Sequence, residues 1–224
     1  MTSSAISRAQ AAIFDLDGTL VQSESAWEEA KRRVLAVEGV TIAQADYDAF
    51  VGRGLRGFLA HVFGPGLPED HRDALAARIG AEADVLLPQM RQPISGAASA
   101  VVELAEAGLR IAICSSSPRR HILAALVQLN LADRISVIVS GADLPRGKPD
   151  PLPYMETLAQ LGLTADQAFA VEDALPGAIS AHAAGLTVIG IGGQTLSQGF
   201  APYCRVRVPD YAAFGRLFAT VRGR

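Results

Sequence analysis

The chain has 224 residues, half of them hydrophobic, and a formal net charge of −3 at pH 7, which is enough for one large domain or a domain with a sizeable insertion. Its lysines and arginines are scattered rather than clustered, which argues against nucleic acid or an anionic membrane as a partner. No apolar run reaches the roughly 18 residues that a membrane helix needs, and the polar residues 1–10 lack the apolar stretch of a secretory signal.

Short apolar runs of β type recur along the chain, and a helix-like stretch follows each of them. The runs are nearly continuous in apolar residues rather than alternating, which suits strands buried on both faces. Strand and helix in repetition predict a doubly wound, mostly parallel, Rossmann-like α/β sheet. The predicted strands are residues 11–15, 110–115, 135–141, 168–172 and 187–191.

More than ninety residues separate the first two predicted strands, far more than a single crossover needs. Helical spacing of apolar residues recurs in this interval, as in residues 27–38. We therefore predict a helical domain over residues 22–91, inserted into an α/β core domain made of residues 1–21 and 92–224. The predicted helices of the insertion are residues 27–38, 50–63 and 70–87.

Polar groups follow four of the five predicted strands. Because ligands of open α/β sheets bind beyond the carboxyl ends of the strands, these groups are expected to share one edge. Each group alone has an ordinary explanation as a turn, a helix cap, a surface lysine or a solvated acidic pair. Together they predict a site for a phosphate and a divalent metal. They are Asp15, Asp17, Gly18 and Thr19, then Ser115, Ser116 and Ser117, then Lys148, then Glu172 and Asp173.

The order and spacing of these groups resemble the four motifs of the haloacid dehalogenase-like hydrolase superfamily, in its branch of phosphatases with a helical cap. The resemblance covers essentially the whole chain and is loose only beyond Gly193. The motifs are Asp15-Leu-Asp-Gly-Thr-Leu20, then Ser115 at the end of an apolar run, then Gly147-Lys-Pro-Asp150, then Val171-Glu-Asp-Ala-Leu-Pro-Gly177.

The resemblance implies a role for each motif residue. Asp15 would attack phosphorus and form an aspartyl-phosphate, while Asp17 would protonate the leaving alcohol and later activate water. Ser115 and the Ser116 backbone N–H would donate to the phosphoryl oxygens, and Lys148 would pair with both Asp15 and the phosphate. Gly18 and Thr19 are assigned to substrate binding. The implied Mg²⁺ ligands are Asp15, the main-chain carbonyl of Asp17 and Asp173, with Glu172 either a direct ligand or a residue behind one.

Other reactions and functions fit the same scaffold less well. Dehalogenases that resemble the chain lack the second acid and need no metal, whereas Asp17 and Asp173 are present here. Phosphonate-cleaving relatives use a cap lysine, but Lys31 lies in a charged helical patch. A phospho-accepting receiver carries a lone aspartate on a central strand, and the intact motif set argues against a catalytically silent binding protein. The main alternative is a sugar phosphomutase of the β-phosphoglucomutase type, which has histidine where this chain has Trp27.

The expected substrate is a small phosphorylated metabolite, a sugar phosphate or a phosphoglycolate-like ester, bound partly by the insertion. Arg53 and Arg56 lie in its glycine-broken stretch, residues 52–57, and either is a candidate contact for the leaving group. Cys114 and Cys204 lack the spacing of a metal site or a redox motif, so we expect reduced thiols and a cytoplasmic protein. We expect a monomer or a weak homodimer.

Overall fold

The computed structural model describes residues 6, 8–48 and 50–222. The remaining residues of the predicted core domain and of the predicted insertion lie outside the described part of the chain. Among these described residues, no helix is both long and apolar enough to cross a bilayer. The strands are β1 (Ala11–Phe14), β2 (Val21–Gln22), β3 (Gln92–Pro93), β4 (Arg110–Ser115), β5 (Ile135–Ser140), β6 (Ala168–Glu172), β7 (Thr187–Ile191) and β8 (Val206–Val208). The helices are α1 (Glu24–Val37), α2 (Gln44–Asp48), α3 (Leu55–Phe63), α4 (Glu69–Met90), α5 (Ala97–Glu106), α6 (Arg119–Gln128), α7 (Leu152–Leu161), α8 (Leu175–Ala183) and α9 (Tyr211–Arg222).

Six strands form one sheet in the order β5-β4-β1-β6-β7-β8, and every neighbouring pair is parallel. The chain starts in the middle with β1 and later winds outward to either side, through β4 and β5 and then through β6, β7 and β8. The point where strand order reverses is where open sheets of this kind bind ligands. The predicted doubly wound α/β fold is confirmed.

Both faces of the sheet are covered by helices, which explains the continuous apolar runs. Successive side chains of a strand point to opposite faces. Phe14 packs in the core layer shared with α5, α6 and α9, where its ring centroid lies 6.4 Å from that of Phe214. Ile13 packs on the other face with Tyr154 of α7 and Ala178 of α8. All four positions of β1 are therefore apolar, because each is buried against one layer or the other.

The helices between β2 and β3 bury an apolar cluster of their own. Trp27 of α1, Phe58 of α3 and Ile79 of α4 belong to this third cluster, separate from the two that cover the sheet. At its base, β2 and β3 pair antiparallel, with Val21 opposite Pro93. The chain thus leaves for the helical segment and returns from it at adjacent points. A division into two domains at residues 22 and 91 stays a prediction.

Three local features differ from the expectations. The predicted helix 50–63 begins only at Leu55, because Gly52 has φ +76° and interrupts the helical path. The short helix α2 precedes it. The C-terminal part adds β8, which pairs with β7 at the edge of the sheet, and α9, which packs on one face of the sheet.

Candidate active site

Three neighbouring strands end at one edge of the sheet, and each delivers polar groups there. Asp15 follows β1, Ser115 ends β4, and Glu172 ends β6 with Asp173 next in the chain. The backbone keeps these positions level, since the Asp15 N–H donates to the Val171 carbonyl over 3.0 Å. Because β4, β1 and β6 run parallel and side by side, the residues at their carboxyl ends meet at the switch point of the sheet.

Lys148 lies among the buried carboxylates. Its Nζ donates to Asp15 Oδ1 at 2.5 Å, to Glu172 Oε1 at 2.6 Å and to the Cys114 carbonyl at 2.8 Å. The Tyr154 hydroxyl donates to the same Glu172 oxygen. Only 2% of the Lys148 side chain is exposed, so these bonds form away from water. The structure thus brings Lys148 into contact with Asp15, as the sequence predicted, and adds Glu172 as a second anionic partner.

The protonation equilibria of this cluster are strongly perturbed. Burial raises the pKa of Asp15 above its ordinary value, and Lys148 opposes the rise while Glu172 and Asp173 add to it. Burial also raises the pKa of Asp173 to about 8, with Glu172 contributing. Burial works to lower the pKa of Lys148, but the carboxylates of Asp15 and Glu172 outweigh it, so the pKa is raised and the ammonium stays charged. Three carboxylates and one ammonium favour a further cation.

The residues present fit a magnesium ion. Asp15, Glu172 and Asp173 each offer a carboxylate oxygen, and these oxygens lie within 4.8 Å of one another; carboxylate oxygens are the kind of ligand that Mg²⁺ takes. In the described part of the chain, Glu172 Oε2 is buried without a hydrogen-bond partner, as expected for an atom that faces a cation. Asp17, predicted to contribute its main-chain carbonyl, is not part of this side-chain cluster.

Asp173 is held in place by the turn after β1 and by a glutamine. The Thr19 hydroxyl donates to Asp173 Oδ1 at 2.8 Å, and the Gln194 amide donates to Oδ2 at 3.2 Å. Gly18 has φ +85°, and a Cβ there would overlap the Asp173 carboxylate. Gly18 and Thr19 were predicted to bind substrate; in the structure the Thr19 hydroxyl bonds Asp173, and Gly18 lies against the same carboxylate. They orient a candidate metal ligand.

The Asp17 carboxylate accepts hydrogen bonds from three serine hydroxyls. Ser117 donates to Oδ2 at 2.7 Å, Ser115 donates to the same oxygen at 3.1 Å, and Ser23 donates to Oδ1. Ser115 was predicted to donate to the phosphoryl group, whereas here its hydroxyl bonds Asp17. Hydroxyls can donate to a carboxylate or accept from a carboxylic acid, so this set can hold Asp17 in either form.

A cavity lies between the strand ends and the helical segment. Asp15, Asp17 and Ser116 line it on the sheet side. The two sides are joined where the Ser116 hydroxyl donates to the Gly52 carbonyl at 3.0 Å, and a Cβ on Gly52 would lie 2.7 Å from the Cβ of Ala174. The helical segment therefore lies over the candidate nucleophile. The lining residues that come from the helical segment are Glu24, Trp27, Glu28, Lys31, Tyr47, Asp48, Phe50, Val51, Gly52, Arg53, Gly54 and Leu55.

The two predicted arginine contacts separate in the structure. Arg53 lines the cavity, with its guanidinium carbon 5.3 Å from the centroid of the Phe50 ring. Arg56 instead donates to both oxygens of Asp73, at 3.0 and 3.2 Å, and is not among the residues that line the cavity. The structure does not bring Arg56 to the candidate site, because Arg56, at the start of α3, points toward Asp73 of α4.

Several residues that line the cavity were not predicted from the sequence, although they share one helical spacing in α1. Glu24, Trp27, Glu28 and Lys31 stand at i, i+3, i+4 and i+7 of α1, which places them on one helix face. The pattern was interpreted as a core face and a charged patch, whereas this face lines the cavity. Trp27 does both, because it belongs to the apolar cluster and also lines the cavity.

Comparison with known proteins gives a consistent result. A family model described as haloacid dehalogenase-like hydrolase matches residues 12–191. A phosphoglycolate phosphatase from Rhodospirillum rubrum is 35% identical over 191 residues, which cover 80% of this chain and 78% of that protein. Hexitol phosphatase B from Escherichia coli K12 is 32% identical over 177 residues, with 78% and 79% covered. A β-phosphoglucomutase structure from Clostridium difficile aligns with a TM-score of 0.82 over 96% of this chain and all of its own, at 17% identity, a likeness of fold.

Proposed function

Because the chain belongs to the haloacid dehalogenase-like hydrolase family, we propose that it is a magnesium-dependent phosphatase of small phosphate monoesters that works through an aspartyl-phosphate. One observation carries the proposal. Asp15 lies on the floor of a cavity, bonded to the buried ammonium of Lys148 and adjacent to Glu172 and Asp173. The relatives named phosphatases support the reaction type.

In the first half of the proposed reaction, a carboxylate oxygen of Asp15 attacks phosphorus. Lys148 holds Oδ1, so we assign the attack to Oδ2. The P–O bond to the leaving group breaks as the Asp15–phosphorus bond forms, and Asp17 gives its proton to the departing oxygen. In the second half, Asp17 takes a proton from water as that water attacks phosphorus, which releases phosphate and restores Asp15.

Charge is the main obstacle to this reaction, because both the nucleophile and the phosphoryl group are anionic. Lys148 would neutralise part of it, and the Ser116 backbone N–H, close to the start of α6, would donate to a phosphoryl oxygen. Mg²⁺ bound by Asp15, Glu172 and Asp173 would neutralise and align the phosphate. The serines around Asp17 orient its carboxyl group toward the leaving group.

The helical segment is proposed to act as a cap over this chemistry. Its own apolar cluster and its position over Asp15 support that assignment. Short connections at Val21–Gln22 and Gln92–Pro93 support hinges there. Closure of such a cap excludes water from the leaving group and completes the site.

The test uses purified protein with p-nitrophenyl phosphate and measures phosphate release. We expect activity that EDTA abolishes and Mg²⁺ restores. Asp15→Asn should remove activity while the circular dichroism spectrum is unchanged, and Asp166→Asn, an exposed aspartate near β6, serves as the matched control. Quenching during turnover and reducing with borohydride should convert Asp15 to homoserine, detected by peptide mass spectrometry. Full activity of Asp15→Asn would contradict the mechanism.

A further inference from the structure

One face of α1 lines the part of the cavity that lies away from the sheet. Glu24, Glu28 and Lys31 come from this face, and Asp48 and Arg53 line the cavity from the residues that follow. Asp15 and Asp17 line its other side. A phosphate held at Asp15 would therefore direct its leaving group toward these five charged side chains.

The five charged side chains are not paired with one another. In the described part of the chain, no ion pair within 4 Å joins any of the carboxylates of Glu24, Glu28 and Asp48 to Lys31 or Arg53. Charges of both signs around a cavity, close but unpaired, leave their hydrogen-bonding capacity available to a ligand.

The Gln44 amide fixes two of the carboxylates. It donates to Glu28 Oε2 at 3.2 Å and to Asp48 Oδ1 at 3.1 Å. This arrangement leaves the second oxygen of each carboxylate to accept from a ligand. The exposed Gln44 amide thus bridges two acceptors, an arrangement that suits a molecule with several hydroxyls.

Lys31 is the cavity cation closest to these carboxylates in the chain. Its ammonium is 4.7 Å from the centroid of the Phe58 ring, and the aromatic face stabilises the positive charge. Burial lowers the pKa of Lys31 to about 8, and Glu24 and Glu28 oppose that shift. Most of the ammonium therefore remains protonated at neutral pH and acts as a donor. Lys31 and Glu28 are partly buried, whereas Arg53, Glu24 and Asp48 are exposed.

We propose that Lys31, Glu28 and Asp48 form a leaving-group subsite that selects a neutral, hydroxylated group, as in a polyol or sugar phosphate, over a carboxylated one, as in phosphoglycolate. A hydroxyl accepts from the Lys31 ammonium and donates to a carboxylate, so it satisfies both signs at once. A carboxylate meets three carboxylates, Glu24 included, which repel it, against the two cations Lys31 and Arg53. The inference rests on the proposed function, since it concerns the same site.

The experiment compares kcat/KM for three probes with Mg²⁺ present: sorbitol 6-phosphate, 2-phosphoglycolate and p-nitrophenyl phosphate. The variants are Lys31→Met and Glu28→Gln. Arg32→Met and Glu29→Gln are matched controls, because Arg32 and Glu29 lie on the same helix and pair with each other at the surface. Thermal melting checks the fold of each variant. Glu28→Gln changes no shape, so the test stands even if Lys31→Met folds poorly.

We expect the unaltered protein to prefer sorbitol 6-phosphate over 2-phosphoglycolate by about tenfold or more, since charge repulsion in a closed site is worth at least that factor. Lys31→Met and Glu28→Gln should each reduce kcat/KM for sorbitol 6-phosphate by about 10- to 100-fold, mainly through KM, as expected for a lost hydrogen bond to a charged group. Activity on p-nitrophenyl phosphate should change by less than about threefold, because that probe lacks the hydroxyls. The controls should match the unaltered protein.

The outcomes separate this inference from the function beneath it. Hydrolysis of the aryl probe by the unaltered protein reports the phosphatase chemistry alone, and its absence would overturn both proposals. Aryl hydrolysis together with a preference for 2-phosphoglycolate would overturn only the subsite. Equal losses on all three probes in Lys31→Met and Glu28→Gln would also overturn it, because they would show a general structural effect.

Discussion

Replacing Lys148 with methionine should destabilise the fold strongly, because it removes the cation from a buried cluster. Lys148 donates to Asp15 and Glu172 with only 2% of its side chain exposed, and methionine has a similar length without the charge. Removing one partner of a buried ion pair usually costs about 3–5 kcal/mol. For a chain of this size that corresponds to a fall in melting temperature of about 6–20 °C.

The stability lost on replacing Lys148 should increase with pH. Burial raises the folded-state pKa of Asp15 above the unfolded value, so the folded state keeps this proton to higher pH and stability falls as pH rises. Lys148 opposes that rise, so its removal raises the pKa of Asp15 further. The difference between the variant and the unaltered protein should therefore be larger at pH 8 than at pH 5.

Urea denaturation with EDTA at pH 5 and pH 8 measures both effects. The matched control is Lys31→Met, which removes the chain's other lysine, one without an ion pair in the described residues; we expect it to cost about 1 kcal/mol or less. Adding Glu172→Gln to Lys148→Met should restore part of the stability, since it removes one of the stranded charges. A loss below about 1 kcal/mol for Lys148→Met, or equal losses at both pH values, would refute the argument.

Three further outcomes follow from the site. Asp17→Asn should reduce hydrolysis of alkyl phosphates by about 10² to 10⁴ but spare aryl phosphates, whose leaving group needs little protonation; equal losses would indicate a structural role. Gly18→Ala should raise the Mg²⁺ concentration for half-maximal activity by about 10- to 100-fold, because the new Cβ would displace the Asp173 carboxylate. Gly39→Ala, at φ +70° in open space, is the control and should leave that concentration unchanged. Incubation with β-glucose 1-phosphate, Mg²⁺ and a trace of the bisphosphate should not give glucose 6-phosphate at a useful rate, because the indole of Trp27 cannot accept a proton. Coupled assays measure both products: glucose 6-phosphate would indicate a mutase, and free phosphate a phosphatase.

The sheet was predictable because its strands are buried on both faces. The predicted bounds of β4, β6 and β7 agree with the structure, since continuous apolar runs between glycines and polar residues have clear ends. β8 was missed because its three residues are Val206, an arginine and Val208, too short and too polar for the pattern. The predicted helix start at Phe50 was wrong, because an isolated glycine leaves open whether a helix continues through it.

The strand-end part of the site was predictable for a topological reason, and the rest was not. Parallel neighbours bring Asp15, Ser115 and Asp173 to one edge whatever the intervening loops do. The Tyr154 contact with Glu172 depends on how α7 packs across the sheet, and the cavity position of Lys31 depends on how α1 docks over it. Sequence periodicity gives a helix a face but not the partner of that face.

The paired strands β2 and β3 place the two ends of the helical segment next to each other, with Val21 opposite Pro93. The sheet therefore places no condition on how long the intervening chain is or how it folds, provided that it starts and finishes at this pair. Changes in the segment that reshape the leaving-group side of the cavity need not disturb the register of β1 or the position of Asp15. In the proposed enzyme, this architecture would separate the part of the molecule that performs the chemistry from the part that can vary to recognise a different substrate.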